Sequence, residues 1–125
     1  MIFLYRCLGR LPFALLYPLA WLVYLFLYYV AGYRKGVVMD NLAHAFPDRN
    51  ETEITLLAKN FYRRFAQVAL EITRARYMHE EDFRRRVEVL NPDLLVDASE
   101  GLTRTAIVLT IHQGNREWML HGPSP

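Results

Sequence analysis

Two side chains near the end of the chain have the types and spacing for acid–base chemistry: His112 and Glu117, separated by Gln113-Gly114-Asn115-Arg116. A neutral imidazole, with an ordinary pKa near ~6.5, accepts a proton from a hydroxyl when a second group fixes its tautomer and offsets the charge it gains. Glu117 is the candidate for that second group. No serine or cysteine stands out as a nucleophile beside the pair, so the hydroxyl is expected to come with a substrate, and the implied chemistry is transfer to an alcohol. With 4 His and 13 acidic residues in the chain, one such spacing by chance is roughly an even bet. A His capping a turn and a Glu complementing a helix dipole is the competing structural reading, so the surrounding elements must decide.

Those elements begin with Ala106 to Ile111, a nearly unbroken apolar, β-branched run that fits a strand buried on both faces. Gln113-Gly114-Asn115 breaks it, Asn115 is a good N-cap, and a helix starting at Arg116 places Glu117 in its first turn, where the dipole favours a carboxylate. Val87 to Leu90 reads as a second strand. Between the two, Asn91 caps, Pro92 opens and Gly101 closes a helix. The order helix, strand, helix, strand predicts the α/β class, with His112 at the carboxyl end of a strand, where open sheets bind ligands.

The amino-terminal part reads as support. From Leu11 to Val30 there is no charged residue, and the run is long enough for a transmembrane or deeply embedded helix, with Pro12 near its start, Pro18 inside it and Tyr24, Tyr28 and Tyr29 at its end. Arg6 and Arg10 before the segment balance Arg34 and Lys35 after it, so charge does not choose an orientation. Lys35 to Phe46 predicts a short helix with Val38, Leu42 and Ala45 on one side, ended by Pro47. Asn50 and Glu53 form a capping box for a longer helix whose stripe, Ile54, Leu57, Phe61, Phe65, Val68 and Ile72, reads as packed core. Glu80-Glu81-Asp82 followed by Phe83-Arg84-Arg85-Arg86 is a dipole-complementing helix. Its arginines, with Arg63 and Arg64, are alternatively a surface for anionic headgroups or an acidic carrier protein.

A formal charge of +2 is too mild for nucleic-acid binding. The single cysteine, Cys7, permits no internal disulfide. Glu117 and His121 lie one helical turn apart, but the His-Glu-x-x-His zinc pattern is absent and no third ligand is evident, so no metal is expected.

The segment His112-Gln113-Gly114-Asn115-Arg116-Glu117-Trp118 resembles the first signature block of the lysophospholipid acyltransferase superfamily, and most closely its lipid A late (lauroyl/myristoyl-type) acyltransferase branch. Arg34, Val37, Val38, Asn41, Leu42, Ala45, Phe46 and Pro47 resemble the Arg-x-x-Val-x-x-Asn-Leu-x-x-Ala-Phe-Pro pattern that follows the membrane anchor in that branch. Arg116 departs from the pattern, which usually carries Trp before the Glu. The resemblance implies a membrane anchor over residues 1–33 and, over 34–125, the amino-terminal portion of a catalytic domain with a glycerolipid-acyltransferase-like sheet and helices. The superfamily's later blocks have no counterpart here, and this short chain by itself is expected to be inactive. The implied activity is O-acyl transfer from an acyl-carrier protein or acyl-CoA to a hydroxyl of a lipid A precursor or similar glycolipid, without a cofactor. His112 is then the general base and Glu117 its orienting carboxylate, on the cytoplasmic side of a bacterial inner membrane. A glycerolipid acyltransferase of the same superfamily, or a truncated non-catalytic membrane-anchored protein, are the alternatives.

Overall fold

The computed structural model describes residues 2–88, 90, 91, 93–101, 103–105, 107, 109, 114, 115, 117 and 118. The chain divides into two units, Met1–Arg74 and Ala75–Pro125.

The first unit is built on a long apolar helix and its partner. Helix α1 (Ile2–Arg10) ends with Arg10 in its last turn, as the dipole favours. Pro12, extended at φ −63° and ψ 150°, starts α2 (Phe13–Leu25), and its carbonyl accepts the amides of Leu15 and Leu16. The helix continues through a widened π turn, Phe26–Val30. Gly32, at φ +55°, then turns the chain so that the Tyr33 amide folds back onto the Leu27 carbonyl. Phe13–Val30 is 18 residues with mean hydropathy 1.8, long and apolar enough to cross a membrane.

Helix α3 (Lys35–Ala45) fills the predicted span, and Val38, Met39 and Leu42 pack inward from it. Asn50 then caps α4 (Glu51–Ala75) reciprocally: the Glu53 amide donates to Asn50 Oδ1 at 2.9 Å, and the Asn50 amide donates to Glu53 Oε2 at 3.1 Å. Arg49 donates to the same carboxylate at 2.7 Å. These two contacts, Arg49 foremost, hold the Glu53 carboxyl below the usual carboxylate range.

Helices α2 and α4 run antiparallel, because each step forward along α2 meets a step back along α4. The Arg74 guanidinium stands over Phe13, the Tyr17 hydroxyl donates to Glu71 at 3.3 Å, Arg63 covers Tyr24, and Tyr28 meets Tyr62 edge-on at 5.5 Å. The buried row on α4 is Ile54, Ala58, Tyr62 and Ala66, at strict i, i+4 spacing. Ala58 and Ala66 have no exposed surface, and their small side chains leave room for Tyr24 and Tyr28. This corrects the expected core stripe. Ile54 is buried, but Phe61, Phe65 and Ile72 remain 45%, 43% and 41% exposed. The apolar sector of α4 is wider than one partner helix can cover.

The second unit also departs from expectation. Its described elements are α5 (Glu80–Arg84) and α6 (Asp93–Ala98), with a further helical turn at Glu117 and Trp118. No strand is present among the described residues, whose class is helical, and this overturns the expected α/β class and beginnings of a sheet; Ala106, Val108, Thr110 and Ile111 of the second expected strand lie outside them. After α5 the chain instead turns at Arg85 and Arg86, the Val87 amide donating to the Phe83 carbonyl at 2.8 Å, and Val87 and Glu88 are not in a strand; Val89 lies outside the described residues. Ile107 and Leu109, in the second expected strand, are 87% and 93% exposed. An apolar run becomes a strand only when a neighbouring ladder takes its backbone groups, and local pattern does not supply one.

The local signals of this unit otherwise hold. Glu80 pairs with Arg84 at 2.7 Å and Glu81 with Arg85 at 3.9 Å, which accounts for the alternating charge of α5 without a ligand. Gly101, at φ +71°, follows α6, and its amide returns to the Val96 carbonyl. Phe83, Trp118 and Ser99 are the buried residues here among those described.

Candidate functional site

Glu117 is placed by the turn before it and the residue after it. Gly114 adopts φ +69°, a conformation open to glycine, and lets the chain reverse. Asn115 caps as expected, since the Trp118 amide donates to its carbonyl at 3.2 Å and lies 3.4 Å from its Oδ1. The indole of Trp118, 8% exposed, meets Phe83 edge-on at 6.5 Å, with the Arg86 guanidinium 5.8 Å from the indole ring centre. That contact pins the helical turn bearing Glu117, which is half-buried in its first turn. His112, Gln113 and Arg116 lie outside the described residues, as do Val108, Thr110, Ile111 and His121. The spacing of His112 and Glu117 is therefore a feature of sequence, and the structure describes the helical turn that bears Glu117.

The upstream pattern forms a second, separate feature, within the first unit. Arg34 precedes α3 at φ +51°, the left-handed region that few non-glycine residues enter. From there Val37, Val38 and Asn41 line one wall of a groove of ≈ 280 Å³. The other wall is Phe61, Tyr62 and Phe65 of α4, where the Phe61 and Phe65 rings stack at 5.9 Å. Tyr33 closes the end, and its carbonyl accepts the Tyr62 hydroxyl. Burial, with Tyr28 and Tyr33 nearby, pushes the Tyr62 phenol above its ordinary pKa, so it stays a neutral donor. Leu42 turns from the groove into the core, and the Phe46 amide on the Leu42 carbonyl ends the helix before Pro47.

The groove is mostly apolar, with Arg34 and Asn41 among its lining residues, which suits a chain-like apolar ligand carrying one anionic or polar group. Its volume is near the low end of the ~300–1,000 Å³ range of small-molecule sites. That is room for part of one acyl chain.

Residues 1–121 match the sequence profile of the bacterial lipid A biosynthesis acyltransferases. The chain belongs to that family. Both signature segments fall inside the matched range, and the family assignment agrees with the resemblance that His112 to Trp118 and Arg34 to Pro47 carry. No curated protein and no solved structure gives a further match.

The sequence singles out Arg34, Val37, Val38 and Asn41 as a family-like pattern without assigning them a groove, and it misses the opposite wall. Phe61 and Phe65 read as core because their helical spacing is that of a buried stripe. The signal that separates them is the row Ala58, Tyr62, Ala66 beside them, since close helix contact selects small residues.

Proposed function

We propose that this acyltransferase-family chain is membrane-associated and serves O-acyl transfer from a thioester carrier, an acyl-carrier protein or acyl-CoA, to a hydroxyl of a lipid A precursor or similar glycolipid. The site of action is the cytoplasmic face of a bacterial inner membrane. The profile match over residues 1–121, containing both signatures, carries this reading. In it, His112 accepts the proton of the acceptor hydroxyl as the oxygen attacks the thioester carbonyl. The carbon–oxygen bond forms, the carbon–sulfur bond breaks, and the imidazolium returns the proton to the departing thiolate. Glu117 orients the ring and offsets its charge.

Leu90, Leu94, Ile107 and Leu109 are 80%, 64%, 87% and 93% exposed. The second unit alone thus offers no water-excluding enclosure for such chemistry among its described residues, and the 125-residue chain on its own is inactive in this reading.

The test is expression of the complete reading frame that encodes these residues, in a bacterium lacking a late lipid A acyltransferase, with mass spectrometry of its lipid A. The expected result is a gain of one acyl group, lost in His112→Ala and Glu117→Ala, with transfer falling by about 10²- to 10⁴-fold in vitro. Full activity of His112→Ala would sink the mechanism. Acylation of a glycerolipid instead would select the alternative acceptor.

A further inference from the structure

In the segment Arg34 to Pro47, Leu42, Phe46 and Pro47 are accounted for by the fold: Leu42 packs into the core, and the Phe46 amide closes α3 before Pro47. The residues before them are not. Arg34, Val37, Val38 and Asn41 stand at i, i+3, i+4 and i+7, the spacing of one helix face, and all four line the groove opposite Phe61 and Phe65. Val38 also packs against the core. Val37, Phe61 and Phe65, however, are 47%, 45% and 43% exposed, so the two walls leave apolar surface for a third group to cover.

The polar groups narrow what that third group is. The Tyr62 hydroxyl is committed to the Tyr33 carbonyl. Lys35, the next cation along the chain, has its ammonium 4.2 Å from the centre of the Tyr28 ring. Arg34 is the single cation among the lining residues, and neither its side chain nor that of Asn41 makes a hydrogen bond or ion pair among the described residues. One unpaired guanidinium matches one negative charge. A carboxylate fits it with two parallel hydrogen bonds, whereas a phosphate monoester brings nearly two charges. The α3 wall from Arg34 to Asn41 spans about 10 Å of helix axis, with the two valines between its polar ends.

We propose that this groove is a binding site for a long-chain fatty acid, its carboxylate paired with Arg34 and its first methylenes lying between the valines of α3 and the stacked Phe61 and Phe65 rings of α4. The rest of the chain leaves the groove past Asn41. The site is built wholly from the first unit and needs none of the chemistry proposed for His112 and Glu117, so it stands or falls separately from that reading.

The test is photolabelling of the 125-residue chain in nonionic detergent micelles, at about pH 8 so that the carboxyl group is ionised. The probe is a palmitic acid analogue with a diazirine close to its carboxyl end, and the adducts are located by peptide mass spectrometry. Adducts are expected around Val37 and around Phe61 and Phe65. Excess palmitic acid should reduce them about tenfold or more, and methyl palmitate should leave them unchanged. Leu15 and Leu22, 56% and 57% exposed on α2, control for adducts that any apolar surface collects, and labelling there should not be competed. Arg34→Gln removes the charge while keeping a β-carbon and a polar side chain, and should lower the competable labelling about tenfold. Val37→Trp, which fills the groove, should do the same, with the circular dichroism of both variants unchanged. Equal competition by the methyl ester overturns the carboxylate pairing, and stronger competition by a lysophospholipid overturns the fatty-acid assignment. Labelling that is uncompeted, or undiminished in either variant, overturns the site.

Discussion

The units Met1–Arg74 and Ala75–Pro125 take opposite routes from sequence to structure. In the first, every described element is a helix whose start, end and inner face follow from residues within one or two turns: Pro12, Gly32 and the Asn50–Glu53 box set boundaries, and the Ala58, Tyr62, Ala66 row sets the contact. In the second, the elements with local codes form, and the two apolar runs whose code needs a distant partner do not become strands among the described residues. Helix boundaries are encoded by neighbouring residues, whereas strand signals are conditional on pairing.

The sharpest break in that comparison should come from Trp118→Ala. Its indole is buried edge-on against Phe83, so truncation should cost about 3 kcal/mol, the low end for a buried aromatic. Amide hydrogen exchange should then show residues after Ala75 losing protection while α2 and α4 keep theirs. Equal loss in both units would mean that they fold as one.

A smaller effect, confined to the first unit, is expected from Tyr62→Phe. It leaves the Tyr33 carbonyl without its donor and should lower stability by about 0.5–1.5 kcal/mol. Denaturant unfolding followed by exchange at α4 measures it, and a change confined to residues after Ala75 would contradict the placement.

The smallest is a pH effect at the first turn of α4. Since the Glu53 carboxyl is held below its ordinary value, ionised Glu53 favours the folded cap. That contribution is complete above the unfolded glutamate pKa of about 4.3 and is lost as pH falls through the lowered folded value. Exchange of the first-turn amides from about pH 6 to about pH 3 should therefore rise in the native chain beyond the intrinsic rate. Glu53→Gln should flatten that excess, and an identical profile in both would exclude the cap as its source.

These contrasts also show which parts of the molecule are legible in advance. The span Lys35 to Ala45, the Asn50 cap, the Asn115 cap and the ends of α5 and α6 are readable because capping and charge placement are properties of neighbouring residues. Hydrophobic periodicity points to the wrong face of α4 because Phe61 and Phe65 outweigh Ala58 and Ala66 in hydrophobicity, although it is the small residues that permit close approach. The expected sheet fails because β-branched, apolar composition states what a strand would look like without stating what it would pair with. Of the candidate pair, sequence supplies both members, and the positioning of Glu117 by Trp118 against Phe83 requires the structure.

Arg34 carries one further consequence. A glycine would occupy φ +51° without a steric penalty, whereas a residue with a β-carbon is strained there by about 1 kcal/mol or more. A screen that rewards thermal stability alone will tend to replace this arginine with glycine and, in doing so, remove a residue that lines the groove. Selection for stability at this position thus alters the lining of the groove while leaving the buried core as it is.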